Sequence, residues 1–146
     1  MTLVYMEYVV DLHLHSKYSR AVSPQMTLPI MADYAVRKGI NILTTGDFTH
    51  PLWFRQIQQE LIESGEGVYK VRGNDKLNYI LTVEVSCIYS QGGKGRRIHC
   101  LIFAPSIEAA GKINQELMRR GANLSSDGRP IIGLSAKQLL QLILEI

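Results

Sequence analysis

Two histidines separated by a single residue, at the end of an apolar stretch, are the first side chains in this sequence equipped for chemistry. They lie in Val9-Val10-Asp11-Leu12-His13-Leu14-His15. Side chains alternate across a strand, so Asp11, His13 and His15 are expected on one face and Val10, Leu12 and Leu14 on the other. Neutral imidazole is a good ligand for zinc, manganese or iron, and a neighbouring carboxylate can fix its tautomer. More ligand-type residues follow. Asp47 and His50 stand in Thr44-Thr45-Gly46-Asp47-Phe48-Thr49-His50-Pro51, Glu84 shares a strand face with Ile80, Thr82 and Ser86, and His99 shares one with Arg97, Leu101 and Phe103.

Imidazole nitrogens combined with carboxylate oxygens suit a multinuclear zinc, manganese or iron site better than calcium or an all-thiolate site. Such sites activate water and neutralise phosphate oxygens, which makes phosphoester hydrolysis the natural chemistry. Each residue also has a plainer role open to it. The histidine pair can lie on a surface strand, Asp47 can cap the turn after Gly46, His50 can be a loop residue, and His99 can be structural. Glu84 is the hardest to assign a plain role, because a carboxylate buried on an apolar strand needs a partner.

The elements that must carry these residues alternate. Strands are expected over 8–14, 40–45, 78–86 and 97–104, the last two forming a hairpin across a turn at 90–95. Helices are expected over 27–38, with Pro29 in the first turn and Gly39 past the end, over 52–64, over 106–120 with Ser106 as cap, and over 136–146 after Ser135. Residues 66–76 and 123–133 read as polar connections. This order predicts an α/β protein with a largely parallel sheet or barrel, in which ligands collect at the carboxyl ends of strands.

Composition is compatible with one domain over 1–146. Apolar residues make up 46%, charged residues 20%, and the formal net charge is +3, too mild to argue for nucleic acid without clustering. No apolar run approaches the roughly 18 residues of a membrane span, and residues 1–10 lack the pattern of a secretory leader. Cys87 and Cys100 are too few for a disulfide framework and read as core thiols of a reduced, cytoplasmic protein. The last helix ends without a C-terminal stop signal, so the chain is expected to be the first part of a longer protein, prone to self-association if it stands alone.

The ordered series resembles the polymerase and histidinol phosphatase (PHP) superfamily: Asp11-Leu12-His13-Leu14-His15, an aspartate and a histidine after the second strand, a lone Glu84, then His99. Within it, His13-Leu14-His15-Ser16-Lys17-Tyr18-Ser19-Arg20, Gly46-Asp47-Phe48-Thr49-His50-Pro51, Glu84-Val85-Ser86-Cys87-Ile88-Tyr89 and Arg97-Ile98-His99-Cys100-Leu101-Ile102-Phe103-Ala104-Pro105 look like the endonuclease Q group. The resemblance implies the N-terminal part of a distorted β/α barrel around divalent metal ions (zinc, manganese or magnesium). It implies His13, His15, Glu84 and His99 as ligands, and nicking of DNA on the 5′ side of deaminated bases (uracil, hypoxanthine) or abasic sites. Asp47 and His50 would be catalytic, one as a ligand and the other supporting it.

Two departures stand out. Residues 18–22 offer no acid or histidine for a further metal position, a gap that Arg20 could fill electrostatically, and no histidine follows His99. DNA contacts are expected from Lys17 and Tyr18, next to the first ligands, and from Lys94, Arg96 and Arg97 in a glycine-rich turn. A small-molecule phosphatase on the same scaffold and a catalytically silent metal-binding fragment are the rival expectations.

Overall fold

The computed structural model describes residues 7–146, so most of the leader reading of residues 1–10 falls outside the described residues. Among the described residues, four helices accompany seven strands. In chain order these are β1 (Val10–Asp11), α1 (Leu28–Arg37), β2 (Ile42–Thr44), α2 (Pro51–Glu60), β3 (Leu61–Gly65), β4 (Val68–Val71), β5 (Asn78–Gln91), β6 (Lys94–Ala104), α3 (Ile107–Arg119), β7 (Ile131–Ile132) and α4 (Ala136–Leu144).

The long strand β5 organises the sheet. Its first residues pair in parallel with β2 and antiparallel with β4; further along, β6 and β7 take over the two sides. The order β1-β2-β5-β4-β3, with β6 and β7 also on β5, leaves an open sheet among the described residues, not a closed barrel. The expected dominance of parallel pairing also gives way to a mixed sheet, because two hairpins, β3–β4 and β5–β6, contribute antiparallel pairs.

The helices form where apolar spacing and end signals agree. In α1, Leu28, Met31, Ala32 and Ala35 are buried at helical spacing behind Pro29. In α3, Ser106 Oγ accepts the Ala109 N–H at 3.0 Å, and Ser135 and Gln138 form a reciprocal capping box at α4. The core joins Leu28, Phe48, Trp53, Ile57, Tyr79 and Leu81, all fully buried. The Tyr79 hydroxyl donates to Leu28 O at 2.6 Å, and burial raises its pKa far above the ordinary tyrosine value.

Several expected elements are corrected. The helix expected over 52–64 stops at Glu60, and the chain turns directly into β3, with Leu61 buried against β4. The supposed polar connection over 66–76 contains β4. Val68, Tyr69, Lys70 and Val71 alternate in burial, a period-2 signal that the surrounding glycines and charges obscure. Residues 131–132 pair with β5 at Ser86 and Cys87, where no strand was expected. The first strand is only two residues long, so His13 and His15 lie beyond it.

Candidate metal centre

Glu84 sits in the middle of β5 at 6% exposure, on the sheet face that also carries Thr82, Ser86, Leu101 and His99. Three imidazoles converge on its carboxylate. His13 Nε2 lies 2.9 Å and His15 Nε2 3.0 Å from Glu84 Oε2, and His99 Nδ1 approaches Oε1. The ligand atoms of His13, His15 and Glu84 all lie within 4.8 Å of one another. The imidazoles of His13 and His99 are each 53% exposed, against 18% for His15, so the group opens to solvent on one side. Burial works to raise the Glu84 pKa, but the His13 hydrogen bond and the charges of His15, His99 and His13 outweigh it and hold the carboxyl below its ordinary value.

The other nitrogen of His15 is held from behind. His15 Nδ1 lies 2.9 Å from Asp47 Oδ1. Asp47 is fully buried, and its Oδ2 accepts the Ser16 N–H at 2.6 Å, the Ser16 hydroxyl at 2.8 Å and the Ser19 hydroxyl at 2.9 Å. An ionised carboxylate only accepts, so the proton between Asp47 and neutral His15 belongs on Nδ1. The lone pair of Nε2 then faces a carboxylate oxygen of Glu84, an arrangement that needs a cation between them, either a proton or a metal ion. The donor set, imidazole nitrogens with one carboxylate, fits zinc, manganese or iron.

The loop after β2 is what makes the two halves meet. Gly46 has φ +60°, and a Cβ there would meet Leu14 O at 2.4 Å, so only glycine lets this loop lie against the 13–15 segment. Asp47 itself adopts φ 49°, a conformation that Asp tolerates better than most residues. Trp53 Nε1 donates to Thr45 O and Gly46 O at 3.2 and 2.9 Å, tying the loop to α2.

The remaining candidates are dispersed. Asp11 does not join the two histidines. Its Oδ1 accepts the His13 N–H at 3.2 Å, and it lines a cavity of about 350 Å³ with Leu14, Met31, Tyr34 and Leu43 beside α1. His50 stands at the N-cap of α2, buried, its ring stacked on Tyr18 at 4.4 Å, and its Nδ1 has no hydrogen-bond partner. Burial lowers its pKa despite the opposing influence of the Ser125 backbone, Asp47 and Asp127.

Lys17 Nζ sits 5.2 Å from the Tyr18 ring centre. Arg20 is 80% exposed, with its Nε 3.6 Å from Asp127 Oδ2. Gly92 and Gly93, with φ of 59° and 72°, close the β5–β6 hairpin as a two-residue turn. The three cations of this turn are all exposed but divided between faces. Arg97 pairs with Ile88 on the His99 face, whereas Arg96 and Lys94 pair with Tyr89 and Gln91 on the other. Burial pushes the Cys87 thiol up to about 12, in keeping with a core residue. The sequence signals missed Ser16 and Ser19, whose hydroxyls hold Asp47, and the segment around Gly128 that packs against them.

Fold and site together define a mixed α/β protein with a solvent-open His/Glu group fit for a divalent metal. No protein-family model matches the chain. In sequence and fold it is similar to the lesion-specific endonuclease Q of Pyrococcus furiosus, with a TM-score of 0.80 and 32% identity over 93% of this chain and 32% of that one. A structure of endonuclease Q in complex with a 27-mer duplex substrate carrying an abasic lesion at the active site matches at the same score, identity and coverage. An uncharacterised protein of Methanocaldococcus jannaschii is 31% identical over 137 residues, 94% of this chain. The chain spans 15% of that relative's length. No helix among the described residues is long and apolar enough to cross a membrane.

Proposed function

We propose that this chain carries the N-terminal part of a PHP-type, metal-dependent DNA repair endonuclease that nicks duplex DNA on the 5′ side of uracil, hypoxanthine or an abasic site. The observation that carries this reading is the convergence of His13, His15 and His99 on buried Glu84 in a chain 32% identical to a lesion-specific endonuclease. His13, His15, Glu84 and His99 would hold the divalent ion or ions. When bound, such a cation supplies a nucleophile from water at neutral pH and offsets charge on phosphate oxygens.

The chain's own residues prepare that chemistry. Glu84 stays ionised, Asp47 keeps the His15 proton on Nδ1, and the exposed edges of His13 and His99 leave an approach for a phosphodiester. Lys17 and Tyr18 follow the ligands closely, and on the hairpin Arg97 on the His99 face, with Lys94 and Arg96 on the other, would add contacts to the DNA backbone. Arg20, exposed and beside Asp127, would add positive charge for the phosphate. In a longer, cytoplasmic protein these strands would form part of a distorted β/α barrel.

Elemental mass spectrometry of the purified chain tests the metal, with His13→Ala as control. Near-stoichiometric zinc, manganese or iron that falls at least tenfold in the variant is expected. Nicking is then mapped on duplexes carrying one uracil, hypoxanthine or abasic site, with cuts on the 5′ side. Metal no higher than in His13→Ala would overturn the centre. Metal with release of phosphate only from monoesters would make the protein a small-molecule phosphatase.

A further inference from the structure

We infer that Gly128, more than 80 positions after Asp47, is a positioning residue for the metal-facing imidazole of His15, acting through the Asp47 carboxylate. The inference rests on the metal reading above and adds a residue that carries no side chain.

Gly128 lies between Asp127 and Arg129 in the segment that leads into β7. A Cβ built on it would meet Asp47 Cγ and Oδ2 at 2.4 Å and Ser19 Oγ at 2.5 Å. No side chain tolerates such contacts, and neither neighbour can withdraw cheaply. Asp47 is fully buried and tied by His15, Ser16 and Ser19, and Ser19 is 5% exposed. The requirement here is for space, since Gly128 does not have a positive φ. The backbone of the same residue clamps the loop. Gly128 N–H donates to Tyr18 O at 3.1 Å, and the Thr49 hydroxyl reaches Gly128 O at 3.5 Å. Flanking side chains seat the segment: Arg129 Nη2 donates to Arg20 O at 3.2 Å, and Asp127 lies 3.6 Å from both the Arg20 and Arg129 guanidinium groups.

Gly128 therefore closes the back of the Asp47 pocket. With it in place, Asp47 has one position, His15 has one tautomer, and Nε2 presents its lone pair to the site. Pushing the carboxylate aside would release the Nδ1 proton and let the ring turn. Groups that orient a ligand histidine in this way are typically worth about 10- to 100-fold in metal affinity.

The test compares Gly128→Ala, Asp47→Gly and the double variant in the full chain. Glycine at position 47 accepts the positive φ there while removing the carboxylate. Two quantities are read: metal affinity by competition with a chromophoric chelator, and the His15 tautomer by nitrogen NMR of the metal-free protein at a pH where the spectrum shows the ring neutral. Wild type is expected to show the Nδ1–H form. Gly128→Ala should populate the Nε2–H form and bind metal about 10-fold more weakly or worse. In the Asp47→Gly background, Gly128→Ala should cost little further, because the Asp47 atoms it strikes are gone and the Ser19 hydroxyl, no longer held by Oδ2, is able to turn away.

An unchanged tautomer and affinity in Gly128→Ala would overturn the inference, as would an equal loss in both backgrounds. If Gly128→Ala alone fails to fold but the double variant folds, the clash with Asp47 is upheld; if both fail, Gly128 serves the fold generally and the inference falls. A wild-type protein that binds no metal would sink the proposed function, while the tautomer comparison would still decide the role of Gly128.

Discussion

Glu84 and His50 show what burial does to two ionisable groups with different neighbours. Glu84 is buried among imidazoles that favour its charged form, so it stays ionised. His50 is buried between Tyr18 and the start of α2, where the neutral ring is favoured and the pKa is lowered from its ordinary 6.5. Unfolded chain takes up a proton at this ring near pH 6.5, whereas folded chain does so only at lower pH. Stability from this residue is thus complete above that pH and is lost as pH falls from it towards the folded pKa. Loss through Glu84 follows in a lower window, below its ordinary 4.5. Urea melts of wild type and His50→Phe across this range should show a shallower acid decline in the variant in the upper window, just below pH 6.5. Parallel curves would mean that His50 does not titrate differently on folding.

At the scale of elements, the loop between β2 and α2 matters more than any strand. Gly46 lets it pass under the His13–His15 segment, and Trp53 holds it from α2. Gly46→Ala forces a left-handed conformation on an L-residue, costing about 1–2 kcal/mol, and adds a collision with Leu14 O. Denaturant midpoints should fall accordingly, and metal affinity should fall with them because the collision moves the backbone of a ligand. A variant as stable as wild type would show that the loop has room the structure does not display.

For the molecule as a whole, the division of charge across the hairpin decides how DNA would lie. Arg97 shares the His99 face, while Lys94 and Arg96 face the other way. Each phosphate contact contributes about 0.9 to the slope of log affinity against log salt on duplex DNA. Arg97→Ala is therefore expected to flatten that slope by about 1, and replacing Lys94, Arg96 and Arg97 together by at most about 3. Fluorescence anisotropy at several salt concentrations reads this directly, and an unaltered slope in the triple variant would leave the hairpin as a solvated surface only.

His13, His15, Glu84 and His99 stand out one by one in the amino-acid sequence as ligand-type residues on otherwise apolar segments, and the fold brings the three imidazoles to Glu84. The helices α1, α3 and α4 were legible for a similar reason, since spacing, proline and serine caps are local signals. The β3–β4 hairpin was not, because Leu61 satisfies both the helical spacing from Ile57 and the burial of a strand, and only the pairing of β3 with β4, itself paired with β5, decides between them. Nor could the sequence separate Asp47 from His50: both are polar residues in one loop, and their roles depend on which buried partners the fold brings to each. Tertiary structure put Asp47 against His15, stacked His50 on Tyr18, and placed Gly128 where a side chain would collide with the Asp47 carboxylate. Residue type and spacing determine which groups are able to bind a metal. Contacts between segments tens of residues apart determine which of them face one another, because burial and steric exclusion are properties of the packed molecule.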